Sequence, residues 1–291
     1  MKNVHCCAWI GVAALAAVAG SASAQTTVSI GPGGTSTSQN FDSLATTGSG
    51  VAWSNNPAAT VPGWSVFKSL GAGTANTRNA TLTAQTTYNT GAGASNAGNL
   101  YSFGTGTSMD RALGTIGSGT PGDWLMVFAV TNNTTLTINK FTLDYALEQW
   151  REGGQGGTPG SPVVGTQHRL VLDYKIVNGI MAGSDTDASF TTGYTAPGGL
   201  WDGVGPVLTT ATTGAAVDGN VAGLAAGRGG MSPDFINWLP GQTLVIRWWD
   251  DNNTGNDHGL ALDTVTLTIP TPGTAALLGI GGLIATRRRR A

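Results

Sequence analysis

The sequence predicts an all-β protein, a two-sheet antiparallel β-sandwich of the jelly-roll or lectin-like kind. Three observations carry this. Apolar residues alternate at period two in several stretches, no stretch shows the 3.6-residue periodicity of an amphipathic helix, and the connecting segments are rich in Gly, Ser, Thr and Asn, with 45 glycines in 291 residues. Charged residues make up only 10% of the chain, which excludes coiled coils and helical repeats. The nine tryptophans need burial, which excludes a disordered chain.

Residues 1–24 read as a secretory signal peptide. Lys2 gives the positive start, residues 8–19 are an apolar run of 12, and Ala22-Ser23-Ala24 is a small-residue cleavage site between Ala24 and Gln25. The run is too short for a transmembrane helix. Signal peptidase and the Sec translocon are the partners such a segment implies. Cys6 and Cys7, both cysteines of the chain, lie inside it. The body of the protein therefore has no disulfide, thiolate nucleophile or cysteine-ligated zinc.

The body, residues 25–269, is expected to fold as one sandwich domain. Residues 98–104 and 110–113 read as short strands, and 123–130 is a nearly continuous apolar run suited to a strand covered on both faces. Residues 134–148 alternate through Leu136, Ile138, Phe141, Leu143 and Tyr145, with a one-residue slip at Lys140. Asn132-Asn133 is expected to join these two runs as a hairpin turn. Residues 168–177 alternate again, and 242–250 and 259–269 form a further expected pair around a polar loop. No crossover helices are present for a parallel α/β fold, and no repeat or composition break divides the body.

The tail, residues 270–291, has three parts in order: Pro270-Thr271-Pro272-Gly273, an apolar run over 275–285, and Arg287, Arg288, Arg289 and Arg290. The arginines would stay cytoplasmic by the positive-inside rule, and the run of about 11 residues is short against the roughly 20 that span a bilayer. This pattern resembles the PEP-CTERM sorting signal, with Pro-Thr-Pro standing where that family has Pro-Glu-Pro. The resemblance implies transient anchoring in the inner membrane, removal of the tail by an exosortase-type transpeptidase, and delivery to the cell surface or extracellular matrix. A signal helix and a short C-terminal apolar helix are thus expected to flank the sandwich.

A second string of residues runs through the body: Phe41-Asp42, Tyr101-Ser102-Phe103-Gly104, Asp110-Arg111, Glu148-Gln149-Trp150-Arg151, Asp218-Gly219-Asn220, and the stretch from Arg247 to Asp263. It is similar to an uncharacterised module of exported bacterial proteins. That resemblance implies a lectin-like sandwich and no settled activity.

All 16 acidic residues lie in the body with nine basic ones, a net charge of about −7. Such a surface repels phosphate backbones, so no nucleic-acid partner is expected, whereas neutral exopolysaccharide or divalent cations suit it. Asp250, Asp251, Asn252 and Asp257 offer oxygens at calcium-like spacing, although position twelve of the loop is Ala261 rather than Glu. Asp and Asn are equally ordinary turn residues, so calcium and a metal-free turn both stand. Trp248 and Trp249 must point to opposite faces of a strand. An exposed member of that pair, with Trp150 and His258, would suit a sugar ring. Glu148, Arg151, Arg247, His258 and Asp263 are the acid/base candidates. Glu148 and Asp263 would serve a glycan hydrolase only from neighbouring strands; otherwise a buried ion pair such as Glu148 with Arg247 is expected. The expected function is a non-enzymatic exported surface or matrix protein, with a carbohydrate-binding module as alternative and a hydrolase using Glu148 and Asp263 as the next.

Overall fold

The computed structural model describes residues 28–55, 59–69, 82–154, 168–178, 193–205, 214–221, 225–233, 236–253 and 255–270. The expected signal peptide with Ala24 and Gln25, and the tail with Pro272, Gly273 and Arg287, Arg288, Arg289 and Arg290, lie outside the described residues, as do the two expected flanking helices. Among the described residues no helix is long and apolar enough to cross a membrane.

Two sheets form a β-sandwich, as the alternation predicts. The seven-stranded sheet runs β12 (Gly203–Val204), β11 (Arg169–Val177), β15 (Thr243–Asp250), β9 (Asp123–Asn132), β4 (Trp64–Ser69) and β5 (Leu82–Ala84), with β1 (Val28–Ile30) parallel against β9. The nine-stranded sheet runs β13 (Ala215–Ala216), β10 (Thr142–Glu152), β16 (Gly259–Thr268), β8 (Ala112–Ile116), β7 (Asn99–Phe103), β6 (Thr87–Gly91) and β3 (Val51–Ala52); β14 (Ala225–Met231) adds to β10 and β2 (Ser36–Gln39) to β16. Apart from β1–β9 and β6–β7, the pairs are antiparallel.

Alternation places the core. Trp124, Met126 and Phe128 of β9, Leu244, Ile246 and Trp248 of β15, and Trp64 and Val66 of β4 point inward against Leu143, Tyr145 and Leu147 of β10 and Leu260 and Leu262 of β16. Trp64 stacks on Phe128 at 5.0 Å and on Trp248 at 5.5 Å, both at 16°. Burying each such ring contributes on the order of 4–6 kcal/mol before conformational entropy is charged against it. Each sheet also carries a smaller apolar cluster on its outer face: Phe67, Leu125, Val127, Val245 and Trp249 on one, Tyr101, Phe103, Ile116 and Trp150 on the other.

Two expected hairpins are corrected. β9 and β10 belong to different sheets, and residues 133–141 cross between them. Asn132 directs the crossing: its Nδ2 donates to the Leu136 and Trp238 carbonyls, both at 2.9 Å, and its Oδ1 accepts from the Thr134 N–H at 3.0 Å. The strand expected from residue 134 therefore starts at Thr142. β15 and β16 are likewise in different sheets, so residues 251–258 form a crossover rather than a hairpin loop. Alternation says which face of a strand is buried and leaves open which strand lies beside it.

Two irregularities interrupt the β10–β16 ladder. Between Asp144/Thr266 and Ala146/Asp263, β16 carries one extra residue; between Gln149/Leu260 and Arg151/Gly259, β10 carries the extra one, Trp150. At the first, Thr264 is held at φ 47°, an unfavourable conformation for a β-branched residue. Bulges re-aim side chains, and these two bracket Glu148.

Candidate functional site

Glu148 and Asp263 occupy neighbouring strands and the same face. Glu148 pairs with Ala261, and Asp263 with Ala146, which makes the two carboxylates diagonal neighbours on the outer face of the nine-stranded sheet. Diagonal partners in a ladder stand about 7–8 Å apart at Cα and somewhat closer at Cβ. Glu148 is 5% exposed, and its Oε2 accepts from the Trp150 indole N–H at 2.9 Å. Burial pushes its carboxyl up to about 7, the Trp150 hydrogen bond opposes this, and the nearby charges of Asp263, Asp110 and Asp218 add to the rise. Asp263 is half-buried; burial raises it too, against the Thr264 hydroxyl, which donates to its Oδ2 at 2.9 Å.

Small residues leave the sheet open beside this pair. Gly227 on β14 pairs with Ala146, is exposed, and has open space where a Cβ would stand. Asp144 and Asp110 are exposed. Toward the other end of the face, Tyr101, Phe103 and Trp150 form a stacked row with ring centroids 4.9 Å and 6.0 Å apart. That row is covered: a Cβ on Gly219 would meet the Trp150 indole at 2.6 Å. Gly93 lies so close to the Trp150 carbonyl that a Cβ would come within 1.7 Å, and its φ is +79°.

The expected ion pair of Glu148 with Arg247 is not formed, because the two stand in different sheets. Arg247 is bidentate to Asp173 across β11 and β15, Nε to Oδ1 at 2.6 Å and Nη2 to Oδ2 at 2.7 Å. The Tyr194 ring covers its guanidinium at 3.2 Å. Arg151 instead donates to the Gly93 carbonyl at 3.0 Å and pins the loop over the aromatic row. Asp173 is not among the residues the sequence singles out, yet it sits directly opposite Arg247 in register, so a search for opposite charges on outward positions of two strands would have found it.

The tryptophans are not sugar platforms. Trp248 points into the core at 0% exposure and Trp249 points to the opposite face, as expected, but is only 5% exposed; Trp150 is 0% exposed.

Asp250, Asp251, Asn252, Asp257 and His258 gather with His168 at one end of the sandwich, where β15 stops and β16 begins. Asp250 Oδ2 accepts from the Thr115 hydroxyl at 2.6 Å, and burial, then the Asp257 charge, pushes its carboxyl well above the usual range. Asp257 Oδ1 accepts from the Asn253 N–H at 2.8 Å, and Asp123 Oδ1 from the Asn252 N–H at 2.7 Å. Asp123 and Asp257 hold the crossover through its own backbone N–H groups, and Asp250 is tied to Thr115 of β8. Among the described residues, no group of three or more His, Cys, Asp or Glu is placed to hold a metal ion. His258 stacks on His168 with centroids 4.1 Å apart, and its Nδ1 lies 2.6 Å from Gln149 Nε2. Burial, then the neighbouring His168, pushes His258 down to about 3, so the ring is neutral.

No protein-family model matches the chain, and no curated protein matches it. Among solved structures, it is similar to a xylan-binding domain from Paenibacillus barcinonensis, at 10% identity and TM-score 0.33 over 80% of this chain and 92% of that one. It is also similar to a Stig cyclase from Fischerella sp. TAU, at 14% identity and TM-score 0.35 over 81% of this chain and 98% of that one. A third is the K3 cleaved adhesin domain of Lys-gingipain from Porphyromonas gingivalis, at 14% identity and TM-score 0.25 over 55% and 74%.

Proposed function

We propose that this chain is an exported cell-surface or extracellular-matrix protein whose sandwich holds glycan on the outer face of the nine-stranded sheet. One observation carries the glycan reading: Glu148 and Asp263 share that face with no arginine or lysine ion pair among the described residues, one at its floor and one reaching solvent. A carboxyl held protonated near neutrality donates a hydrogen bond, and an ionised one accepts two or more. Together they suit vicinal sugar hydroxyls, which both donate and accept. Export rests on the signal peptide, and surface delivery on the tail, with an exosortase-type transpeptidase as partner and exopolysaccharide as the natural glycan source.

Hydrolysis is the second reading. A diagonal strand pair spans the carboxyl separations glycosidases use, roughly 5–5.5 Å for retention and 6.5–9.5 Å for inversion, and a Glu poised near 7 has the protonation state of a general acid. One experiment separates the readings. Wild type and Asp263→Asn are applied to a glycan array that includes the host exopolysaccharide, with reducing-end release measured on every bound glycan. Binding lost in Asp263→Asn without release supports a binding module. Release that disappears in both Asp263→Asn and Glu148→Gln supports the hydrolase. Binding by neither protein removes both.

A further inference from the structure

At the end of the sandwich away from the histidines, the turn between β1 and β2, the 133–141 crossover and the end of β16 enclose an apolar cleft of about 370 Å³. Ile30, Pro32, Leu136, Ile138, Ile269 and Pro270 line it, and among the described residues Lys140 is the one charged residue in its wall. Leu136 stands at the rim, 67% exposed. A cavity of about 150 Å³ takes a benzene-sized group, so this cleft has room for two or three leucine-sized side chains. Pockets that hold ligands start at about 300 Å³, so the cleft is large enough to take one.

Pro270 is both a wall of the cleft and the last described residue, and the sequence continues at once with Thr271-Pro272-Gly273 and the apolar run 275–285. We propose that the cleft docks this run, with Leu277 and Leu278 as its anchors. Pro272-Gly273, in the linker between cleft and run, is a turn signal in the sequence. Six residues separate Pro270 from Leu277, and the seven Cα steps reach up to about 24 Å. Because the occupant is tethered at the cleft itself, its effective concentration is in the millimolar range, far above that of a second copy or a free partner. The run is also about half the length that spans a bilayer, so its hold on a membrane is weak enough for the cleft to compete. The tail is then sheltered on the sandwich whenever it is out of the membrane. This inference concerns a surface remote from Glu148 and Asp263 and stands whether or not glycan binds there.

The test uses the chain from Gln25 with its tail intact, which contains no native cysteine. Thr135, exposed in the cleft wall, is changed to Cys together with Leu278→Cys; a control pairs Leu278→Cys with Asp144→Cys on the face of the nine-stranded sheet. In vesicle-free buffer the cleft pair forms an intramolecular disulfide about tenfold faster than the control. In a second measurement, Leu277→Asp with Leu278→Asp opens the cleft and raises the fluorescence of added anilinonaphthalene sulfonate several-fold, while the sandwich stays folded by its β-sheet circular dichroism. Equal oxidation rates, disulfides only between chains, or unchanged dye fluorescence would each overturn the proposal.

Discussion

The outer faces of the two sheets treat embedded charge in opposite ways. On the seven-stranded sheet, Asp173 faces Arg247 in register, two short hydrogen bonds join them, and Tyr194 covers the guanidinium. On the nine-stranded sheet, Glu148 and Asp263 stand as diagonal neighbours of like charge, and burial raises both pKa values with no arginine or lysine ion pair among the described residues. The first arrangement is a finished structural contact, with every charge spent. The second keeps a carboxyl near neutrality with capacity to bind, at a cost in stability, and it lies between two bulges that a plain ladder would not need. Among the described residues, the sandwich pairs Asp173 with Arg247 on one face and leaves Glu148 and Asp263 without a cation on the other.

Breaking the paired face should have the largest effect. Arg247→Met leaves Asp173, 6% exposed, without its partner, and should lower unfolding free energy by about 3–5 kcal/mol, read from denaturant midpoints. A loss below about 1 kcal/mol, the size of a surface pair, would mean that this face is not held by the ion pair.

The polar end offers a third treatment, a titratable group kept neutral. With His258 pushed down to about 3, below its ordinary value, the folded state takes up a proton less readily than the unfolded chain. Stability present above about pH 6.5 is therefore lost as pH falls toward 3, on the order of 5 kcal/mol in all. His258→Asn should flatten this acid limb in a pH series of melting curves, and an unchanged limb would assign it to other groups.

The unpaired face should respond with the opposite sign. A carboxyl raised in the folded state costs nothing below about pH 4.5, and its penalty grows as pH climbs through 7. Glu148→Gln keeps an acceptor for the Trp150 N–H and removes the charge. It should match wild type at pH 4 and be more stable by up to about 3 kcal/mol at pH 9, seen in urea unfolding at the two pH values. A variant less stable than wild type at pH 9 would mean that an unseen cation pairs with Glu148.

The smallest expected effect is at the 250–258 crossover. Asp250 accepts from Thr115 and Asp257 from Asn253, and Asp123 of β9 takes the Asn252 N–H. Asp257→Ala should therefore leave the difference between melting in Ca²⁺ and in chelator unchanged. A difference present in wild type and absent in the variant would restore calcium at that loop.

Much of the sandwich is legible in the sequence because half-buried strands write their faces into the chain. The alternation over 169–177, 243–250 and 259–268 gives those strands nearly to the residue, and the placing of Trp248 and Trp249 on opposite faces comes from the pleat alone. What stays hidden is neighbourhood. Adjacent runs such as 123–132 and 142–152 suggest a hairpin, and only the Asn132 side chain, by satisfying carbonyls of two segments, sends the chain to the other sheet. The early strands β1 to β6 escape the pattern because Ser, Thr and Gly carry little apolar contrast, although Trp64-Ser-Val-Phe67 offers a signal. Of the candidate site, the pair Glu148 and Asp263 is legible as residues on strands, but their shared face depends on register between segments more than 100 residues apart. The exposed-tryptophan site fails because pattern shows which way a ring points and says nothing of what lies over it.

The central claim, that the chain holds an unneutralised carboxylate poised near neutral pH on the outer face of the nine-stranded sheet, is tested most directly by ¹³C NMR titration of the Glu148 side-chain carboxyl, assigned by its loss in Glu148→Gln. The expected midpoint lies near 7 and falls in Asp263→Asn, as the neighbouring negative charge is removed. A midpoint at the ordinary glutamate value, unmoved by Asp263→Asn, would contradict it.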